Sequence, residues 1–376
     1  MSWSRSALLK AFHGFDRFAA KLPPVCAFQP AKGAFSAYER LSEGILEGKI
    51  LLERQQPGPC PTGSMTAESG LRQHDHQPWP VFWTRADDAR LTGSLRQWRD
   101  PAGRVCREGN YHLLQRRRLG EDRLFAPWFP GKATRLEGAW TSLASNWGDG
   151  RNYFHWITDN LTRLLVREHL PEPTRILLPR TTAPYIGETL ELLGLASDYD
   201  NPPATNLLPE RYYFCSPVAM TGVWNPLGFD WLRERFRKYF RPPASGPPVF
   251  LTRRGGTRVP GDLPVIERVF ANAGFEIVDC GTLGIRQQIE LTSGAKAVAG
   301  IHGAAMTNLL WSTSGMPVLE LFLPSYLNAC YEQIAFQGNL DYRHQTLGAS
   351  GALDSISGWC DSLGLRTGTN PGLAET

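Results

Sequence analysis

Beyond residue 248 the chain alternates short apolar runs with segments of helical spacing. The apolar runs fall at 249–251, 275–278, 297–299 and 318–322, and the helical spacing at 266–273, 287–293 and 306–311. Short apolar strands separated by helices predict a parallel sheet covered on both faces. A smaller set of the same kind precedes it, with strands at 139–144, 175–178 and 212–215 and helices at 153–165, 185–193 and 229–240. In the first of those helices Phe154, Ile157, Leu161, Leu164 and Leu165 make one apolar stripe. Asn152, His155, Asp159 and Arg163 make the opposite, polar one. Residues 241–248 hold four prolines and no helix, and they separate the two sets. The fold class is therefore α/β, with two Rossmann-like β/α/β domains facing a cleft and an irregular N-terminal extension. The expected boundaries are 1–95 for extension and linker, 96–241 for the first domain and 242–376 for the second. Residues 244–246 are the expected pivot between them.

The pattern also places chemistry. Ligands of open α/β sheets sit beyond the carboxyl ends of the strands. The residues there are Arg253 and Arg254, Asp279, His302 with Gly303 and Ala304, and Glu320. Two guanidiniums suit a phosphate through paired, charge-assisted bonds. Bare backbone at Gly303 and Ala304, where a helix begins, adds N–H groups and a dipole for an anion. The set reads as a nucleotide diphosphate pocket, with Glu320 for the ribose hydroxyls. Arg258 is a further phosphate candidate or a partner for Glu267. Asn308 either binds the donor or holds its loop, and Gln288 braces His302. On the first helix His155 and Asp159 are one turn apart, close enough to touch.

Composition narrows the class. The chain has 376 residues, 42% hydrophobic and 20% charged, which suits a soluble protein of two domains. A net charge of +4 with dispersed basic residues and no recognised module fits anionic small ligands rather than nucleic acid. Seven scattered cysteines without a Cys-x-x-Cys pair suit reduced thiols in the cytoplasm. No apolar run is long enough to span a membrane, and no signal core opens the chain. Residues 3–22 have an amphipathic, basic pattern, read as a docking helix or a peripheral contact with the inner face of a membrane. His74-Asp75-His76 reads as solvated loop, and Arg116 to Arg118 as an exposed edge. Asp198 and Asp200 form an Asp-x-Asp read as a solvated turn, so no metal is expected.

Two segments together resemble the glycosyltransferases of family 61, including the bacterial type linked to capsular and surface polysaccharide. One runs from Asn152-Tyr153-Phe154-His155-Trp156 to Asp159-Asn160-Leu161. The other joins Thr252-Arg253-Arg254, Arg258 and Gln288 to Gly300-Ile301-His302-Gly303-Ala304-Ala305, Asn308 and Val318-Leu319-Glu320-Leu321. Thr162 and Ala305 depart from the family pattern, which often has proline and glycine there. The resemblance implies a GT-B-like arrangement, a nucleotide-sugar donor on the second domain and a glycan acceptor on the first, and inversion without a cofactor. It implies Asp159 as general base, with His155 orienting it or serving instead, and Asn152 and Trp156 on the acceptor side. Two alternatives remain. A Rossmann-type oxidoreductase should show Gly-x-Gly-x-x-Gly after a first strand, which Thr252-Arg253-Arg254-Gly255-Gly256-Thr257 lacks. A non-catalytic glycan- or nucleotide-binding module of the same fold is separated only by activity.

Overall fold

Two β-sheets account for most of the architecture. The computed structural model describes residues 34–52, 80–93, 96–109, 133–145, 152–180, 183–219, 222, 224–255 and 258–364. The motifs at 3–22, 74–76 and 116–118 lie outside the described residues. A first sheet has ten strands among the described residues. They are β1 (Ala34–Phe35), β2 (Gly48–Leu52), β3 (Val81–Ala86), β4 (Arg90–Thr92), β5 (Gln97–Arg99), β6 (Val105–Cys106), β7 (Thr134–Ser142), β8 (Arg175–Leu177), β9 (Tyr199–Asp200) and β10 (Asn206–Cys215). β10 is its spine. It runs parallel to β7, and on its other edge pairs antiparallel with β4 and then with β3. Its alternate residues serve two cores: Tyr212 and Phe214 pack with Phe82, Leu91 and Trp98, whereas Tyr213 and Cys215 pack with Val81 and Trp83.

This sheet differs from the expected one in two ways. It is mixed rather than Rossmann-like, because β2 to β5 join it antiparallel. Residues 34–92, read as extension, supply β1 to β4. The reason lies in sequence distance: Trp83 pairs with Cys215, and no local pattern announces a partner so far along the chain.

The second sheet is parallel throughout, in the order β12-β11-β13-β14-β15. Its strands are β11 (Val249–Leu251), β12 (Glu276–Val278), β13 (Val298–Ile301), β14 (Pro317–Phe322) and β15 (Asp341–Thr346). Val249, Leu251, Val298 and Val318 face one core, which the helices Ile285–Gly294, Ala304–Trp311 and Cys330–Gln337 cover. Phe250, Ala299, Ile301, Leu319 and Leu321 face the other, covered by Leu263–Asn272 and Ala352–Ser362. Both faces are thus buried, as continuous apolar strands require. β15 escaped the sequence reading because Asp-Tyr-Arg-His-Gln-Thr is a polar edge strand, not an apolar run.

The two sheets do not stand apart. Phe154, Trp156, Ile157 and Leu161, before residue 241, share one buried cluster with Met306, Leu309, Leu310 and Trp311 beyond it. Fully burying such a side chain is worth about 1.5–3 kcal/mol, so exposing only four would cost on the order of 6–12 kcal/mol. That equals a typical folding free energy of about 5–15 kcal/mol. Polar bonds cross as well. Arg233 donates to the carbonyls of Leu310 and Ser312, and Glu188 accepts from the Ile285 amide at 2.7 Å. The expected pivot is itself tied down, with the Gly246 amide on the Gly294 carbonyl at 2.8 Å and the Arg241 amide on Ser293 at 3.0 Å. The expected swing of two bodies about 244–246 therefore does not suit this architecture. Radius of gyration by small-angle scattering is expected to stay unchanged on saturation with a nucleoside diphosphate; a contraction would restore the hinge.

Candidate functional site

The order of the second sheet determines where a ligand fits. Counted within that sheet it is 2-1-3-4-5, a doubly wound order whose connections diverge between β11 and β13. At the carboxyl ends of those two strands lies a cleft of about 380 Å³. Arg253 and Arg254 follow β11, and Gly303 and Ala304 follow β13. Asp279 follows β12, and Tyr153 and Tyr185 come from the first half of the chain. The two tyrosines meet edge to face, with centroids 5.4 Å apart. Cys280 also lines the cleft, where burial pushes its thiol up to about 12, so it acts as wall and not as nucleophile.

The two arginines differ in what they are bound to. Arg254 is 59% exposed and already forms a two-pronged pair with Glu267 at 3.0 and 3.1 Å. Glu267 thus goes to Arg254 and not to Arg258. Arg253 donates from Nη1 to the His302 carbonyl at 2.8 Å, while its buried Nε has no partner among the described residues. Burial, and then the charge of Arg258, lower the Arg253 pKa. Arg258 lies outside the cleft lining, with its guanidinium 4.3 Å from the centre of the Tyr326 ring. Gly303 is glycine for space: a Cβ there would sit 2.2 Å from Nη1 of Arg253. Its φ of 172° is ordinary extended backbone. The first bond of the following 3₁₀ helix runs from the Met306 amide to the Gly303 carbonyl, so the N–H groups of Ala304 and Ala305 precede it.

Other expected residues take different places. Glu320 has no exposed surface. One carboxylate oxygen lies 2.5 Å from His302 Nδ1, and the other accepts from the Tyr342 hydroxyl at 2.6 Å. It therefore cannot reach a ribose. Asn308 is wholly buried, giving its amide to Gln288 at 2.8 Å and accepting from Tyr153 at 3.0 Å and Trp311 at 3.2 Å. These bonds hold the loop to the Tyr153 helix. Gln288 braces Asn308 and the carbonyls of Cys280 and Leu283, rather than His302. Trp156 is fully buried with its indole N–H on Thr189, and cannot touch an acceptor. Asn152 caps the helix, accepting from the Phe154 amide at 3.0 Å.

His155 and Asp159 do meet, with Nδ1 3.0 Å from Oδ2. The expected polar stripe does not form, however. The segment Trp156–Leu161 is a π-helix, and Thr158, Asp159, Asn160 and Arg163 are all buried. The wider turn shifts the register, and the helix is enclosed between the two sheets; π segments recur at functional sites. Asp159 also accepts from the Thr158 hydroxyl at 2.5 Å. Phe154 and Tyr331, 5.5 Å apart, link the ring of His155 to that of His302. Asp198 and Asp200 sit at the edge strand β9 and its approach, paired with Arg167 at 2.8 Å and Arg175 at 3.3 Å. Among the described residues no three His, Cys, Asp or Glu side chains gather to hold a metal, and no helix is long and apolar enough to cross a membrane. All five described cysteines are free and buried.

A half-buried carboxyl, Glu332, gives the fold a pH signature. Burial and then the charge of Glu320 push Glu332 up to about 7, and its Oε2 has no partner among the described residues. A folded-state pKa above the ordinary 4.5 means that the folded protein holds the proton and the unfolded chain releases it between those values. Stability from this group is full below pH 4.5 and falls as pH rises to about 7. Glu332→Gln is expected to raise the melting temperature at pH 8 and leave it unchanged at pH 4.5. Equal effects at both pH values would remove the proton from the account.

Comparison with known families supplies the class. Residues 153–319, just under half the chain, match the family model for Glycosyltransferase 61. The class is thus glycosyltransferase, an enzyme acting between a donor and an acceptor, with its sugar class open. This stretch is a glycosyltransferase family 61 domain. The match takes in the cleft, His155 and His302, and ends one residue before Glu320. No curated protein matches the chain.

Proposed function

We propose that the protein is an inverting glycosyltransferase that moves a sugar from a nucleotide-sugar to a glycan acceptor, in the manner of enzymes that build capsular or surface polysaccharide. The observation that carries the donor half is Arg253, a half-buried guanidinium with an unpartnered N–H beside bare backbone amides at the switch point of a parallel sheet. It holds the donor diphosphate with the N–H groups of Ala304 and Ala305, while Arg254 contributes from the rim. Asp279, which lines the cleft after β12, replaces Glu320 as the ribose partner. Tyr153 and Tyr185 supply an aromatic wall for the nucleobase. In a GT-B-like division of labour the parallel sheet carries the donor and the first half of the chain the acceptor.

Transfer forms the bond from acceptor oxygen to the anomeric carbon and breaks the bond from that carbon to the diphosphate oxygen. The proton of the acceptor hydroxyl goes to a base. His155 suits that role, with Asp159 orienting it, because both Asp159 oxygens already accept bonds. The cytoplasm is the fitting compartment, since nucleotide-sugars are its currency in this reading. Thermal shift against a panel of nucleoside diphosphates tests the donor site. A ligand at about 100 times its dissociation constant stabilises by about 2.7 kcal/mol. No shift with any diphosphate, under conditions where the protein is folded, overturns it. Metal chelation is expected to leave transfer intact, because arginine and backbone amides supply the charge. Loss in chelator with recovery on adding manganese would reassign it.

A further inference from the structure

The helix that carries the proposed base is held by two further side chains, and neither lines the cleft. We infer that Thr162 and Arg163 are positioning residues for the His155–Asp159 pair: they lock the π turn that carries Asp159 and thereby decide which nitrogen of His155 bears the proton. This rests on the reading of His155 as base. The π segment Trp156–Leu161 gives way to the α-helix Arg163–Arg167 across Thr162. A π turn spans one residue more than an α turn, so carbonyls at the change fall out of the regular ladder. Two side chains reach back to carbonyls there. The Thr162 hydroxyl donates to the Thr158 carbonyl at 2.8 Å, and Nε of Arg163 donates to the Asp159 carbonyl at 3.3 Å. The two clamped residues are the ones whose side chains lead to the imidazole. The Thr158 hydroxyl donates to one Asp159 oxygen at 2.5 Å, and the other oxygen lies 3.0 Å from His155 Nδ1. Thr158, Asp159, Thr162 and Arg163 are all buried, so bulk water does not make good a clamp that is lost.

Both clamps are seated by the first half of the chain. The Thr162 methyl packs on the helix Pro226–Phe236 at Gly228, where a Cβ would lie 3.2 Å from it. The Arg163 guanidinium lies 5.9 Å from the ring centre of Phe214 on β10. Burial lowers the Arg163 pKa, and the charge of Asp159 is among those that oppose the shift. Cation and carboxylate therefore favour each other in a place that keeps both from water. The consequence for His155 is its tautomer. A neutral imidazole has one N–H and one bare nitrogen. The Asp159 carboxylate, held at Nδ1, keeps the proton there and leaves the lone pair on Nε2, the form in which the ring can take a proton from an acceptor hydroxyl. A slack turn lets the carboxylate draw away, and the proton is then shared between the two nitrogens.

Nitrogen-15 NMR of the full chain reads that tautomer directly and needs no substrate. The His155 signals are assigned by their loss in His155→Ala. Above the imidazole titration the wild-type ring is expected in the Nδ1–H form. Thr162→Val keeps the branched shape and removes only the hydroxyl, and it should move the signals toward a mixture of the two forms. Thr162→Ser keeps the hydroxyl and should leave them close to the wild-type positions. Gly228→Ala crowds the Thr162 methyl from the neighbouring helix and should give a smaller move in the same direction as Thr162→Val. Arg163→Met removes the buried charge and should give the largest move, with an unchanged far-ultraviolet spectrum confirming the fold. Where Arg163→Met does not fold, the Val and Ser variants of Thr162 still decide. A wild-type ring in the Nε2–H form overturns the inference. So does a Thr162→Val protein with a lower melting temperature and unmoved signals, because the clamp then serves stability alone. The base reading is decided separately, by transfer in His155→Ala. A normal rate there removes the base, whereas a loss of about 10²-fold or more beside unmoved Thr162→Val signals keeps the base and removes only its positioning.

Discussion

Arg253→Ala is expected to weaken nucleoside diphosphate binding by about 10²-fold or more, and to leave binding of the free nucleoside nearly unchanged. A hydrogen bond to a charged group is worth about 1.5–3 kcal/mol, and this guanidinium offers more than one. Its buried Nε lacks a partner among the described residues, so a phosphate oxygen would satisfy an atom already removed from water. Arg254→Ala should cost less than about 10-fold, since that side chain is 59% exposed and already paired with Glu267. Gly303→Ala gives an independent check. Its Cβ would lie 2.2 Å from Nη1 and displace the guanidinium without removing its charge, so it should approach the effect of Arg253→Ala. Calorimetry with paired diphosphate and nucleoside reads all three. Equal losses for Arg253 and Arg254, or a harmless Gly303→Ala, would show that charge near the cleft matters and this geometry does not.

His155→Ala is expected to lower transfer by about 10²- to 10⁴-fold, the usual contribution of a general base, with donor affinity retained. Asp159→Asn should cost less if Asp159 only orients the ring, because an amide oxygen still accepts from Nδ1–H. If Asp159 is itself the base, the order reverses and Asp159→Asn becomes the more damaging variant. Their 3.0 Å contact cannot rank them, but the bond from Thr158 to the other Asp159 oxygen favours His155. Initial rates with saturating donor, alongside calorimetric donor binding, distinguish the outcomes. A His155→Ala protein that folds and transfers at the normal rate would remove His155 as the base, and normal rates in both variants would falsify the assignment to this helix.

The second sheet was legible in the chain because its determinants are local. Each strand from β11 to β14 is an apolar run, and each is followed by a helix whose own spacing marks it. A right-handed strand-helix-strand unit leaves little choice of topology. Arg253, Arg254, Asp279 and Gly303 could be placed at one edge for the same reason, since each directly follows a strand. The contact of His155 with Asp159 needed only helical spacing. What the chain did not disclose depends on partners remote in sequence. β3 pairs with β10 across some 130 residues, so the first sheet appeared smaller and more regular than it is. Trp156, expected on the acceptor side, is instead enclosed by Thr189 and the shared core. Glu320 reads as a ligand carboxylate until Tyr342, on a polar edge strand with no apolar signature, takes its second oxygen. Proline-rich residues 241–248 suggested a hinge, whereas one buried cluster takes in both Phe154 and Leu310 on either side of them. In each case the residue type set the chemistry available, and long-range packing decided whether that chemistry faces a ligand or another side chain.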